Sequence, residues 1–200
     1  MLLALVLVLM LAVSRSTGDV ATDGRSVSDK VYIKEFFDTY EPMWTLNTTR
    51  GIASMCVVDV KYNITNEHVI FTKFSTLNVS SIFKWTAQLK GTFSHGQNYR
   101  KPQKSTDTYN AMNITYLDDG ESFWNEVLVF ETRDRNCGVF MVDTGRKRRV
   151  AYELRLKNSS IGEGPEKTCT DQFVHYANTS RTPVRNLYVG ACQGILLTKE

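Results

Sequence analysis

Glu153 and Arg155 stand two residues apart in VAYELRLK (150–157), each flanked by apolar side chains. Side chains alternate along an extended segment, so Val150, Tyr152, Leu154 and Leu156 share one face, and Ala151, Glu153, Arg155 and Lys157 the other. Alternation alone turns the apolar face to the core and leaves the charges in water, where such a pair contributes less than about 1 kcal/mol. Buried together, the same groups would neutralise each other and offer no net charge to a ligand.

Just upstream, Gly145 opens the cationic run Arg146-Lys147-Arg148-Arg149. Its spacing matches a furin-type cleavage pattern, and basic runs bind nucleic acid or heparin. Two strand-like runs, 137–143 and 150–156, bracket it, which reads as a solvated hairpin turn. The three histidines, His68, His95 and His175, form no HExxH or other ligand spacing, and no GxSxG occurs. Nothing marks a catalytic residue, a metal site or a cofactor, so the expectation is a binding protein and not an enzyme.

The four cysteines, Cys56, Cys137, Cys169 and Cys192, include no CxxC pair. An even count without metal or redox spacing fits two structural disulfides, with three connectivities open. Six N-x-S/T sequons, at Asn47, Asn63, Asn78, Asn113, Asn158 and Asn178, fit a glycosylated extracellular protein. Export agrees with the first residues: apolar Leu2 to Val13 runs into Ser14, Arg15, Ser16 and Gly18. That run is too short to span a bilayer and small residues follow it, the pattern of a signal peptide over 1–18, cleaved between about 14 and 24. The formal charge of +3 drops by one with Arg15, so the mature chain is nearly neutral and implies no nucleic-acid partner. No later stretch is apolar enough for membrane insertion.

Several elements must position these groups. Tyr32, Ile33, Phe36, Phe37 and Tyr40 recur at helical spacing before Pro42. The period then becomes two. In 82–93, Phe83, Trp85, Ala87, Leu89, Gly91 and Phe93 form one face; in 56–62, Cys56, Val58, Val60 and Tyr62 oppose Val57, Asp59 and Lys61. Similar runs at 43–49, 68–76, 109–117, 122–132, 137–143 and 150–156 make eight strands, with a closing helix over 166–178. A glycan on Asn113 would face solvent and turn Met112, Ile114 and Tyr116 inward. Eight sequential antiparallel strands close as an up-and-down barrel able to hold one small molecule. An immunoglobulin-like sandwich fits less well, because Trp85 lies 29 residues after Cys56. The expectation is all-β: one domain over 28–194, an eight-stranded antiparallel barrel with an N-terminal helix and a C-terminal helix packed outside.

SMCVVDV (54–60), RNCGVFMV (135–142), AYEL (151–154), KTCTDQFVHYA (167–177) and VGACQG (189–194) resemble the salivary lipocalins of ticks, the group that includes the histamine-binding proteins. The resemblance covers about 28–194. It implies the pairings Cys56–Cys192 and Cys137–Cys169, and it places Glu153, and with it Arg155, inside the barrel. The amine-binding members carry Cys-Asp-apolar, then Glu-Leu-aromatic, then Cys; here Gly138 stands where Asp is expected and Arg155 where an aromatic is expected. Losing a carboxylate and gaining a guanidinium disfavours a cationic ligand.

A barrel lined by Phe83, Trp85, Leu89, Met112, Ile114 and Tyr116, with Glu153 and Arg155 as its polar spot, suits an apolar molecule with one hydroxyl or carboxylate. The resemblance is nearest to the japanin-like branch, which implies a cholesterol-binding modulator of host dendritic cells. Two other functions compete: a histamine or serotonin scavenger, and a glycoprotein acting by binding a host cell-surface or secreted protein.

Overall fold

The computed structural model describes residues 31–52, 54–80, 84–96, 109–143, 145, 150–180 and 182–197. The signal region, Phe83, most of the polar loop 94–107 and the cationic run 146–149 lie outside the described residues.

The chain runs α1 (Ile33–Phe37), β1 (Met43–Thr48), β2 (Met55–Ile64), β3 (His68–Thr76), β4 (Lys84–Ser94), β5 (Ala111–Tyr116), β6 (Ser122–Glu131), β7 (Cys137–Asp143), β8 (Val150–Lys157), α2 (Lys167–Ala177) and a two-residue β9 (Arg185–Asn186). Each strand from β2 to β8 pairs antiparallel with the next, β8 returns to β1, and β1 pairs β2, closing an eight-stranded barrel. The closing seam is short, with Met43 opposite Asp59 and Trp44 opposite Val58. β9 pairs antiparallel with β1 at Asn47 and Thr48, beyond that seam.

The connections are compact where the sequence supplies turn residues. Between β5 and β6, Gly120 adopts φ 73°, a left-handed conformation open to glycine without steric cost. Asp119 Oδ1 accepts the Glu121 amide at 2.8 Å in the same turn.

Alternation decides which side chains enter the barrel. On β4, Ala87, Leu89, Gly91 and Phe93 are buried while Thr86, Gln88 and Thr92 are exposed. Met112 and Ile114 are buried around exposed Asn113. Two strands invert the simple apolar-in rule. On β2, Cys56 and Val58 face outward and pack with Trp44, Cys192 and Ile195, so Asp59 of the opposite face is buried. On β8, Tyr152, Leu154 and Leu156 face outward onto Cys169, Phe173 and Ala177 of α2, so Glu153 and Arg155 are buried inside. The solvent-exposed alternative for the pair is thereby removed. Both inversions share a cause: when another segment covers the barrel's outer face, the apolar side need not point inward.

Disulfides fix both coverings. Cys56–Cys192 ties β2 to the C-terminal 3-10 segment, and Cys137–Cys169 ties β7 to the start of α2, the pairings the resemblance implied. Among the described residues no helix is long and apolar enough to cross a membrane.

The N-terminal helix is shorter than its spacing predicts. It ends at Phe37, and Tyr40, expected on its apolar stripe, is 94% exposed. What remains closes one end of the barrel: Ile33, Phe36 and Phe37 pack with Phe71, Leu89, Met112, Leu128 and Phe140. The Phe36 and Phe140 rings meet edge-on at 5.3 Å.

Glu131 sits at the start of this plug, where its Oε1 accepts the Tyr32 amide at 2.8 Å. Burial pushes its carboxyl up to about 7, outweighing the Tyr32 amide and the Arg135 guanidinium, which draw it down. A carboxyl with a raised folded pKa holds its proton more tightly folded than unfolded. Its contribution to stability is therefore full below 4.5 and is lost as pH rises to about 7. Urea melts of wild type and Glu131→Gln across this window should show wild type losing stability relative to the variant as pH rises. Parallel curves would contradict the placement of this group.

Candidate functional site

Because neighbours are antiparallel, the C-terminal ends of β1, β3, β5 and β7 meet the N-terminal ends of β2, β4, β6 and β8 at the barrel end opposite α1. A cavity of about 1350 Å³ opens there. Trp85, Tyr116, Phe123 and Trp124 form its aromatic wall, Val57, Val142 and Ala151 add aliphatic surface, and Thr49, Ser75 and Thr76 supply hydroxyls. Trp85 stacks on Phe123 with ring centroids 6.1 Å apart, and Tyr116 meets Phe123 at 5.0 Å. Ligand sites of this kind combine predominantly apolar walls with a few placed polar groups.

Below the cavity lies a layer of buried charge. Arg155, fully buried, reaches two carboxylates at once. Its Nη1 and Nη2 donate to Glu126 Oε2 and Oε1 at 2.7 and 2.5 Å, and its Nε and Nη2 donate to Glu153 Oε2 at 3.0 and 2.6 Å. The guanidinium lies 4.3 Å over the Phe140 ring. Trp124 Nε1 donates to Glu126 Oε1 at 2.7 Å, joining the wall to the layer. Lys73 Nζ lies 2.6 Å from Asp59 Oδ1, and Arg50 Nη1 lies 3.3 Å from Glu153 Oε1. Three carboxylates thus face three cations: Asp59, Glu126 and Glu153 against Lys73, Arg155 and Arg50.

The protonation directions follow from these contacts. Burial alone would raise the Glu153 carboxyl, but the guanidinia of Arg155 and Arg50 and the Lys73 ammonium outweigh it and hold it at about 2. Burial would lower the Arg155 pKa, yet Glu126 and Glu153 drive it well above its ordinary value. At Asp59 burial wins over Lys73 and Arg155, and the pKa is raised. Neither Asp59 oxygen meets an aligned hydrogen-bond donor among the described residues.

The expected lining residues divide between three places. Trp85 and Tyr116 line the cavity. Leu89, Met112 and Ile114 lie deeper, in the packed core around α1. Glu153 and Arg155 form the charged floor, and Phe83 lies outside the described residues. Arg50, Lys73, Phe123, Trp124 and Glu126 were not anticipated. Trp124, Glu126 and Leu128 alternate on β6, and Lys73 follows Phe71 by two on β3, so both charges share the face of inward apolar residues. Arg50, just past β1, carries no such signal.

Gly138 has a steric role. A Cβ built there would lie 2.8 Å from Phe36 Cε2 and Cζ and 3.1 Å from Leu128 Cδ1, so the α1 plug occupies the space a side chain would need. Of the sequon asparagines, Asn63, Asn78, Asn113 and Asn178 are exposed, and Asn47 and Asn158 are half-buried. Asn158 Oδ1 accepts Trp44 Nε1 at 2.8 Å and Gln193 Nε2 at 2.9 Å.

No family model matches the chain, and no curated protein does. Among solved structures, japanin from Rhipicephalus appendiculatus bound to cholesterol is similar at a TM-score of 0.48 and 9% sequence identity, covering 75% of this chain and 94% of that one.

Proposed function

We propose that this chain is a secreted lipocalin of tick saliva that holds a small apolar molecule with one polar group, a sterol such as cholesterol or a lipid mediator, and modulates host immune cells such as dendritic cells. The observation that carries the ligand reading is the cavity: aromatic walls above a floor whose charges are already paired. An apolar body gains by leaving water against Trp85, Tyr116, Phe123 and Trp124. One hydroxyl or carboxylate can be met by Thr49, Ser75 or Arg50 at the cavity surface. A primary ammonium would have to compete with Arg155 and Arg50 for Glu153. The disulfides and sequons support export into an oxidising compartment, and the resemblance to tick salivary lipocalins supports the host-directed role.

Native mass spectrometry of the protein secreted from eukaryotic cells, then offered cholesterol and oleate, tests this reading. The expected spectrum shows one retained or added apolar molecule per chain. A barrel that stays empty and rejects both would overturn it.

A further inference from the structure

We infer that the cavity floor contains a built cation subsite which the protein fills with its own Arg50, making Arg50 the residue that sets ligand charge. This rests on the reading of the cavity as the ligand site.

The two oxygens of Glu153 have separate partners. Oε2 is taken by Arg155 Nε and Nη2 from below, whereas Oε1 accepts from Arg50 Nη1 at 3.3 Å. Glu153 is 2% exposed and does not line the cavity; Arg50, 17% exposed, does. Arg50 therefore stands between the carboxylate and the open space. Its guanidinium also lies 4.3 Å over the Trp124 ring, and Trp124 itself lines the cavity. A carboxylate oxygen and an indole face meeting one cation are the two elements that recognise an organic ammonium or guanidinium ion. Lys73 Nζ approaches the same ring at 5.4 Å but is held by Asp59 at 2.6 Å.

Arg50 reaches this position from an anchored backbone. Its amide donates to Thr48 Oγ1 at 3.0 Å, and the neighbouring Thr49 amide donates to Tyr152 O at 2.9 Å. The side chain folds back over the floor from the rim of β1, so a tethered cation competes with any free one at high effective concentration. Without it, Oε1 is left unpaired beneath an open cavity, and the floor holds formally three carboxylates against two cations.

The test uses the full chain and three variants, Arg50→Ala, Arg50→Gln and Arg50→Lys, titrated calorimetrically with phenethylammonium and, separately, cholesterol. Arg50→Ala and Arg50→Gln should bind phenethylammonium at least about tenfold more tightly than wild type, and Arg50→Lys should restore exclusion. Methylguanidinium should raise the melting temperature of Arg50→Ala and leave wild type unchanged, a readout available even if the variant is marginally folded. Folded Arg50→Ala and Arg50→Gln that stay as indifferent to both cations as wild type would overturn the subsite. Cholesterol binding in wild type reports separately on the proposed function: its absence alongside a gained ammonium site would sink that reading and leave this one standing.

Discussion

Arg155→Ala is expected to lower unfolding stability by about 3–5 kcal/mol, read as a fall in the urea midpoint at unchanged slope. Arg155 is 0% exposed and bridges Glu126, also 0% exposed, to Glu153 at 2%. Alanine removes every Arg155 donor from both carboxylates, leaving Glu126 with Trp124 Nε1 and Glu153 with Arg50 Nη1. Each acid must then stay charged without its main partner or take up a proton, and either course destabilises the fold. The intact network is not itself proof of added stability, because replacing a buried charged group whole by apolar residues is often neutral. Arg155→Met combined with Glu126→Gln and Glu153→Gln should therefore recover part of the loss. A single alanine variant within about 1 kcal/mol of wild type would contradict the buried placement of the pair.

Gly138→Asp is the second large effect. The new Cβ would sit 2.8 Å from the Phe36 ring, which is held edge-on by Phe140 at 5.3 Å and faces Phe37 at 6.4 Å. A ring wedged among rings has little room to yield, so the steric part alone costs about 1–3 kcal/mol. Gly138→Ala isolates that part. Aspartate adds a buried carboxylate whose register partner is Arg155, already committed to Glu126 and Glu153. Its midpoint should fall clearly below that of Gly138→Ala, and histamine should remain unbound. Gly138→Asp with a wild-type midpoint and a gained histamine site would show that the α1 plug does not fill this end of the barrel.

The architecture was largely legible because period-two patterning is strong wherever one strand face meets water. β3 and β7 run over the residues expected, and β4, β5, β6 and β8 differ from expectation by a few terminal residues. Patterning fails where neither face meets water. On β2 the apolar set Cys56, Val58 and Val60 belongs to the outer covering, and alternation gave no reason to prefer Asp59 as the inward residue. The same ambiguity on β8 was resolved by family resemblance alone. Depth along the barrel was also hidden: Trp85, Leu89, Met112 and Ile114 share an inward direction, but only the packing of Phe36 and Phe37 decides which of them meet core and which meet cavity. Arg50 was out of reach for a different reason. It stands two residues beyond the end of β1, and its contacts with Glu153 and Trp124 depend on a loop path that no local pattern encodes.

On the proposed function, the cavity accepts an apolar body and refuses a free ammonium because its floor is neutralised from within. Trp85 and Trp124 line that cavity, so tryptophan emission reports its occupancy. The direct measurement is a pair of titrations on wild-type protein, one with a fluorescent sterol and one with serotonin, each followed by tryptophan quenching and calorimetry. Saturable one-to-one quenching by the sterol and no saturable response to serotonin are expected. A submicromolar serotonin isotherm with an inert sterol would contradict the proposed function.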